Sequence, residues 1–103
     1  MADVLNPDAL ETSLNQLDGW AGTVDTGITK TFELEDFAEA MRFVNAVAGV
    51  AEEMNHHPDI HVSWNSVRLD IVSHAAGGVT EDCVELAGRI DMLAGGAEDF
   101  RSH

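Results

Sequence analysis

The sequence predicts an α+β domain in which a four-stranded, mainly antiparallel sheet carries helices on one face, in the order α-β-β-α-β-β-α. Apolar residues recur at helical spacing in three segments of the 103-residue chain, which indicates three amphipathic helices. Two other segments alternate apolar and polar residues, and each contains a turn signal that divides it into a hairpin. A chain of this length accommodates these elements as one domain over residues 1–103.

The first helix and the first hairpin carry local start and stop signals. Asn6 is a suitable helix cap before a proline, and Asp18-Gly19 is expected to end the helix. A short strand over residues 20–24 follows, and a turn at residues 25–27 leads into a longer alternating strand. Lys30 is expected on the apolar side of that longer strand.

The dominant helix is predicted over residues 35–55, and its apolar arc is unusually wide. One apolar stripe consists of Phe37, Met41, Val44, Ala48 and Ala51, and a second consists of Ala40, Phe43, Val47, Val50 and Met54. Either one flank packs on the sheet and the other on another subunit, or the helix is deeply buried. The sequence alone does not separate the two interpretations.

The second hairpin is expected to turn at Asn65-Ser66. Its register puts one set of side chains on the apolar face, namely Ile60, Val62, Trp64, Val67, Leu69 and Ile71. The opposite face receives His61, Ser63, Arg68, Asp70 and His74. The last helix is capped by Thr80 and expected to end at Gly95-Gly96, before a frayed tail over about residues 97–103.

Acidic residues dominate the charge, since 19 Asp and Glu against 5 Lys and Arg give a formal net charge of −14. Such a surface repels phosphate, so we expect no direct nucleic-acid binding. The excess also favours a protein adapted to high salt over an ordinary acidic protein, because salt screens self-repulsion. No apolar run is long enough to span a membrane, which predicts no membrane partner and a cytoplasmic location. The single Cys83 is expected to be a small buried or half-buried residue rather than a reactive thiol.

Three of the five histidines, His56, His57 and His74, flank the second predicted hairpin. Imidazole titrates near neutral pH, so a histidine cluster at the end of a helix indicates proton transfer or metal binding. Pro58 stops the long helix at about His56. Glu52 lies four residues earlier on the same helical face, where its carboxylate can hold the His56 ring.

The pattern Glu52-x3-His56-His57-Pro58-x5-Trp64-x9-His74 resembles the signature of the pterin-4a-carbinolamine dehydratases. The resemblance extends to Gly19-Trp20, to residues 32–37 and to residues 76–81, so it covers nearly the whole chain. It implies a single dehydratase-like domain that forms homodimers or homotetramers through the sheet edge and the long helix.

The resemblance implies the dehydration of 4a-hydroxytetrahydropterin to quinonoid dihydropterin in tetrahydropterin recycling, without a metal or organic cofactor. Loss of water requires one proton delivered to the C4a hydroxyl and another removed from N5, and two imidazoles suit these tasks. By resemblance, His56 and His74 are the acid and the base, and Glu52 orients His56. The negative end of the helix dipole and Glu52 are expected to favour an imidazolium at His56.

The resemblance also implies a set of substrate-binding residues. They are His57, Pro58, Ser73, Ala75, Ala76 and Trp20. Trp20 is interpreted equally well as a core aromatic residue.

Two positions depart from the family pattern. Cys83 stands where the family usually has an aspartate, so either Asp82 takes over or that carboxylate is dispensable. Ile60 and His61 stand where aromatic residues are common in the family. The resemblance therefore does not extend to the outer wall of the pocket, whereas the three histidines match.

Two alternatives to catalysis stay open. His56, His57, His61 and His74 could form a zinc or copper site, although the strand pattern after Pro58 argues against helical ligand spacing. A non-catalytic role is the second alternative, either as a pterin-binding module, as a dimerisation cofactor for a protein partner, or in molybdopterin metabolism.

Overall fold

The computed structural model describes residues 3–101, and its side chains are described for residues 3–94. The elements are helices α1 (Pro7–Gln16), α2 (Phe37–Met54) and α3 (Glu81–Arg101), and strands β1 (Ala21–Thr23), β2 (Gly27–Glu33), β3 (Asp59–Ser63) and β4 (Ser66–Ile71). The sheet has the order β1-β2-β4-β3, and all its neighbouring strands are antiparallel. The predicted α+β fold and its element order are confirmed, with β1 and β3 as edge strands. No helix within residues 3–101 combines the length and apolarity that crossing a membrane requires.

The core lies between one face of the sheet and the helices. Its fully buried sheet residues are Ile28, Val67, Leu69 and Ile71. They form one cluster with Leu10 of α1, Phe43 and Val47 of α2, and Leu86 and Ile90 of α3. Each such aliphatic side chain contributes about 1.5–3 kcal/mol on burial, so this face of the sheet fixes the strand register.

Lys30 lies on the helix-facing side of β2, as predicted, and connects three parts of the chain. Its Nζ donates to the Asp18 carbonyl at 2.7 Å and to Asp91 Oδ1 at 2.9 Å. The same carboxylate accepts the indole N–H of Trp20 at 3.0 Å. We call this arrangement of Lys30, Asp91 and Trp20 the Lys30 clasp. It attaches the segment after α1 and the strand β2 to helix α3.

Helix α2 begins after Asp36, whose carboxylate caps it by accepting the Glu39 N–H at 2.8 Å. Its inner stripe is buried at Ala40, Phe43, Val47 and Ala51. The outer flank is open: Phe37 is 52% exposed, and Ala48 and Gly49 are exposed as well. Deep burial of the whole helix is therefore wrong for this chain, while packing of the outer flank on another subunit stays a prediction.

The second hairpin turns one residue earlier than predicted. Ser63 pairs with Ser66, so the turn is Trp64-Asn65, and Trp64 adopts a φ of 53° and is 69% exposed. The Leu34 N–H donates to the Asn65 carbonyl at 2.8 Å, and Asn65 Nδ2 donates to the Leu34 carbonyl at 2.9 Å. These two hydrogen bonds, at about 0.5–1.5 kcal/mol each, offset the about 1–2 kcal/mol that a left-handed conformation costs.

The last helix is longer than predicted. Helix α3 continues through Gly95-Gly96 to Arg101, so the expectation that the two glycines end it was wrong. A glycine inside a helix costs only about 1 kcal/mol relative to alanine, which weakens a helix without forbidding it. Residues 102–103 lie outside the described residues, and the frayed tail stays a prediction.

Candidate active site

The predicted histidines lie at one end of the sheet. Helix α2 ends at Met54, and Asn55 takes a left-handed conformation with a φ of 52°. The His56 N–H then donates to the Ala51 carbonyl at 3.0 Å, which closes the helix end. Because β3 and β4 are antiparallel, the segment that precedes β3 and the loop that follows β4 lie at the same end. That loop holds His74.

The His56 ring reaches across to the start of α3. It is half-buried, and its Nε2 lies 3.1 Å from Sγ of Cys83. Burial lowers the pKa of His56, the Asp82 carboxylate acts in the opposite direction, and His57 lowers the pKa further. The expectation that the helix dipole and Glu52 favour an imidazolium at His56 is therefore contradicted, because desolvation outweighs the favourable charges.

Glu52 contacts the neighbouring histidine instead of His56. Its Oε2 lies 2.5 Å from Nε2 of His57, and both side chains are largely exposed. The predicted Glu52–His56 contact does not form because Asn55 leaves the helical path. After that residue a spacing of four no longer places two side chains on one face.

His74 is exposed in the turn that the Ser73–Gly78 bridge closes. It borders a cavity of about 470 Å³ on the open face of the sheet, shared with Asp59, Asp70 and Thr29. Within residues 3–94 no hydrogen bond or ion pair joins His74 to His56. The structure brings the two histidines to the same end of the sheet without direct contact.

Asp70, which lines the cavity beside His74, is the centre of an ion-paired cluster. Asp70 accepts a hydrogen bond from the Thr29 hydroxyl at 2.6 Å, and His61 and Arg68 lie 3.2 and 3.3 Å from its other oxygen. Although burial acts to raise the pKa of Asp70, the Thr29 hydrogen bond, the Arg68 guanidinium and the neighbouring His61 ring together hold it below its usual value. Asp70 therefore stays charged at neutral pH and holds His61 in this cluster.

The implied substrate-binding residues differ in how accessible they are. Pro58, Ser73 and Ala76 are half-buried, and Ala75 is exposed. The Ser73 hydroxyl accepts the Ala76 N–H at 3.1 Å, which fixes the shape of the loop beside His74. Trp20 is only 5% exposed and packs edge-on against Phe32, so the structure supports its interpretation as a core residue.

The histidines do not assemble into a metal site in the part of the chain that the structure describes. No group of three or more His, Cys, Asp or Glu side chains there has a geometry that could hold an ion. His61 turns toward Asp70 on the open sheet face, and His56 turns toward Cys83. The alternative of a shared zinc or copper site therefore lacks its ligand set in these residues.

The contact of His56 with Cys83 is the feature that sequence reasoning missed. Cys83 is buried, as predicted, and it is the third residue after the helix cap Thr80. The Thr80 N–H lies 3.4 Å from Sγ, which is the position of the second side chain in a capping box. The Thr-x-x-Cys spacing could therefore have predicted the contact between Cys83 and Thr80. It could not have predicted that His56 is the other partner of the sulfur.

Comparison with known proteins identifies the family. A sequence model described as pterin 4 alpha carbinolamine dehydratase matches residues 3–93. The chain belongs to this family. It is 43% identical over 93 residues to a protein of Koribacter versatilis, with 90% of this chain and 98% of that protein covered. It is 45% identical over 89 residues to a protein of Acidobacterium capsulatum, with coverage of 86% and 96%. Both relatives carry pterin-4-alpha-carbinolamine dehydratase as a provisional name.

Two solved structures share the fold of this pterin-4a-carbinolamine dehydratase family member. One is a transcriptional coactivator/pterin dehydratase from Brucella melitensis, with a TM-score of 0.85, 30% identity, and coverage of 89% of this chain and 99% of that one. The other is a pterin dehydratase-like protein identified as a RuBisCO assembly factor in the α-carboxysome, with a TM-score of 0.61, 28% identity, and coverage of 74% and 87%. The fold therefore occurs in relatives described by different functions.

Proposed function

We propose that this protein dehydrates 4a-hydroxytetrahydropterin, a pterin-4a-carbinolamine, to quinonoid dihydropterin and water. One observation carries the proposal. In a chain of this family, the segment with His56 and His57 and the loop with His74 lie at the same end of the sheet, next to a loop of small residues. This arrangement would let two imidazoles act on one bound pterin, and the reaction needs no cofactor.

The reaction moves two protons in opposite directions. The C4a–O bond breaks as the oxygen receives a proton and departs as water, and the N5–H bond breaks as its electron pair forms the C4a=N5 double bond. One group must act as an acid and another as a base, and imidazoles can do both near neutral pH. We assign this pair of tasks to His56 and His74.

The surroundings of the histidines support separate roles. His56 is half-buried against Cys83, so its ring is held in one place, whereas His74 is exposed beside the cavity. His57 is oriented by Glu52 at the rim, where it would bind the polar edge of the pterin. The backbone of residues 73–76 would line that edge, and Pro58 would form an apolar wall.

The test is the rate of quinonoid dihydropterin formation from 4a-hydroxytetrahydropterin that is generated in the assay. We expect acceleration that His74→Ala and His56→Ala each reduce by about 100-fold or more, the usual scale of acid–base catalysis. His61→Ala is the matched control, because this histidine belongs to the Asp70 cluster. Low and molar salt should both be used, with folding checked by circular dichroism.

Two results would contradict the proposal. One is a folded wild-type protein that does not accelerate the reaction. The other is acceleration that His74→Ala and His61→Ala leave equally intact.

Homo-oligomerisation is part of the proposal. The edge strand β3 has one side without a strand partner, and Val62 on it is 38% exposed. We expect a homodimer or homotetramer through this edge and the outer flank of α2. Sedimentation of wild-type protein and of a Val62→Lys variant would test it, and a monomeric wild-type protein would contradict it.

A second candidate function is a non-catalytic protein-binding module. Trp64 is 69% exposed, and Phe37 is 52% exposed, and the Trp64 turn lies at the opposite end of β3 from the histidines. Large exposed apolar side chains are typical of contact surfaces. This candidate would replace the enzyme if the Trp64→Ser variant lost a protein partner while no condition gave dehydration.

A further inference from the structure

The sulfur of Cys83 lies at the centre of a small buried hydrogen-bond cluster that includes the proposed acid–base residue His56. Sγ is 3.1 Å from Nε2 of His56, 3.4 Å from the Thr80 N–H nitrogen and 3.5 Å from the Thr80 Oγ1. Cys83 is 0% exposed and Thr80 is 1% exposed. Solvent therefore cannot supply partners for Cys83 and Thr80, and their hydrogens must be matched within the cluster.

One neutral arrangement pairs every hydrogen of the cluster. In this arrangement the Thr80 N–H donates to Sγ. The Thr80 hydroxyl also donates to Sγ, because Sγ is the one hydrogen-bond partner of that hydroxyl among the described residues. The thiol hydrogen then points to Nε2 of His56, which accepts it with its lone pair. If Nε2 carried a hydrogen instead, either the thiol or the Thr80 hydroxyl would retain a buried hydrogen without an acceptor.

A thiolate–imidazolium pair would also let the sulfur accept three hydrogens, but burial of the His56 ring opposes a charge on it. Asp82, beside Cys83 in the first turn of α3, acts to raise the pKa of His56, but burial of the ring has the larger effect and lowers it. Glu52 is occupied by His57, and His57 itself opposes a charge on His56.

We propose that Cys83 is a positioning residue whose thiol donates to Nε2 of His56 and thereby holds the neutral ring as its Nδ1–H tautomer. Its catalytic consequence rests on the proposed dehydratase function. His56 then offers a hydrogen at Nδ1, which assigns it to the departing C4a hydroxyl, and His74 is left to remove the N5 proton.

His56 and Cys83 together account for the proton that the departing oxygen receives. As Nδ1 gives its proton to the departing oxygen, Nε2 takes the thiol proton, and the negative charge moves to the sulfur. The two Thr80 donors and the amino-terminal end of α3 face that charge. His74 becomes positively charged at the same time, so the site keeps its net charge, and proton exchange through water restores both groups.

The test is the tautomer of His56 in the full chain, read from long-range proton–nitrogen spectra of protein labelled with ¹⁵N-histidine. The His56 signals are assigned from a His56→Gln sample. We expect a proton on Nδ1 and a lone pair on Nε2 at neutral pH. A proton on Nε2, averaged nitrogen shifts, or protons on both nitrogens would each overturn the proposal.

Variants at Cys83 separate positioning from mere packing. Cys83→Ser keeps a donor and should preserve the Nδ1–H tautomer, whereas Cys83→Ala should lose it and lower kcat by about tenfold or more. Cys83→Asp offers only an acceptor, so the proton should move to Nε2 and the His56 limb of the kcat/KM profile should shift to higher pH. A purely structural role predicts lower thermal stability in all three variants and an unchanged tautomer.

The two proposals can fail separately because the spectrum needs no substrate. A protein with the Nδ1–H tautomer that does not dehydrate the pterin would refute the function and leave the positioning role. An active protein with His56 protonated on Nε2 would refute the positioning role alone.

Discussion

Replacing Lys30 with methionine removes the charge of the Lys30 clasp while keeping most of the aliphatic stem. Lys30 is the single lysine of the chain. Its ammonium group pairs with the Asp91 carboxylate between the sheet and the helices. Without it, the Asp91 carboxylate keeps the Trp20 N–H as its one donor among the described side chains, and the Asp18 carbonyl loses the Lys30 donor. We expect a clear loss of stability with an unchanged fold.

The magnitude follows from the burial of the pair. The side chains of Lys30 and Asp91 are 21% and 26% exposed, so the pair is half-buried. A surface pair contributes about 0–1 kcal/mol, and breaking a buried pair costs about 3–5 kcal/mol. The cost of breaking this pair should lie between these limits. The Lys30 ammonium also lies 4.8 Å from the centre of the Phe32 ring, a contact worth about 0.5–1 kcal/mol. We therefore expect Lys30→Met to lower the free energy of unfolding by about 2–3 kcal/mol. In a domain of this size that corresponds to a Tm lower by about 10–15 °C.

Urea unfolding of wild type, Lys30→Met and Arg42→Met measures this loss. Arg42→Met changes the net charge equally, but Arg42 is 68% exposed and pairs with Glu39 on the surface of α2. We expect it to cost less than about 0.5 kcal/mol. Asp91→Asn combined with Lys30→Met should cost less than the sum of the single changes. Equal midpoints for Lys30→Met and Arg42→Met would refute the reasoning that the clasp is a half-buried, stabilising pair.

Three further predictions concern the helices and His56. Gly49→Ala should stabilise the fold by about 0.5–1 kcal/mol in urea unfolding, because an added Cβ would meet nothing within 4 Å; destabilisation would indicate that this flank of α2 is covered. Asp36→Ala should cost about 1 kcal/mol through loss of the α2 cap, whereas an unchanged unfolding midpoint would mean that the cap is replaced. Since the pKa of His56 lies below its ordinary value of 6.5 in the folded state, the unfolded chain binds that proton more readily. Stability should therefore be complete above pH 6.5 and fall as the pH drops toward the folded pKa. Comparison of wild type with His56→Gln in urea isolates this component, and parallel pH curves for the two would contradict it.

The sheet and helices follow from periodicity, because each element has an apolar face that only one partner surface can bury. The errors lie where local rules compete with distant contacts. Trp64 is a poor residue for a left-handed turn. The turn forms there because Asn65 bonds to Leu34. A turn rule that considers only neighbouring residues cannot include such a distant contact. Gly95-Gly96 is a common stop signal, but helix α3 continues through it.

For the candidate site, the sequence named residues, but it did not predict their contacts. The resemblance named His56, His57 and His74 as candidates, and the antiparallel strands bring the segments that hold them to one end of the sheet. The spacing of four between Glu52 and His56 predicted the wrong pair, since Asn55 interrupts the helix between them. The partner of His56 is 27 residues away in α3, and packing of two helices decides such a contact.

The two tryptophans give this chain separate optical reporters, because the chain contains no tyrosine. Trp20 is 5% exposed and bonded to Asp91, whereas Trp64 is 69% exposed. A water-soluble quencher should therefore suppress the emission of Trp64 and leave that of Trp20. Emission from Trp20 would follow unfolding of the core, and protection of Trp64 would report contact of another molecule with the hairpin turn. The Trp64→Phe variant gives the emission of Trp20 alone. With that reference, the emission of the wild-type protein would distinguish loss of the fold from loss of a partner.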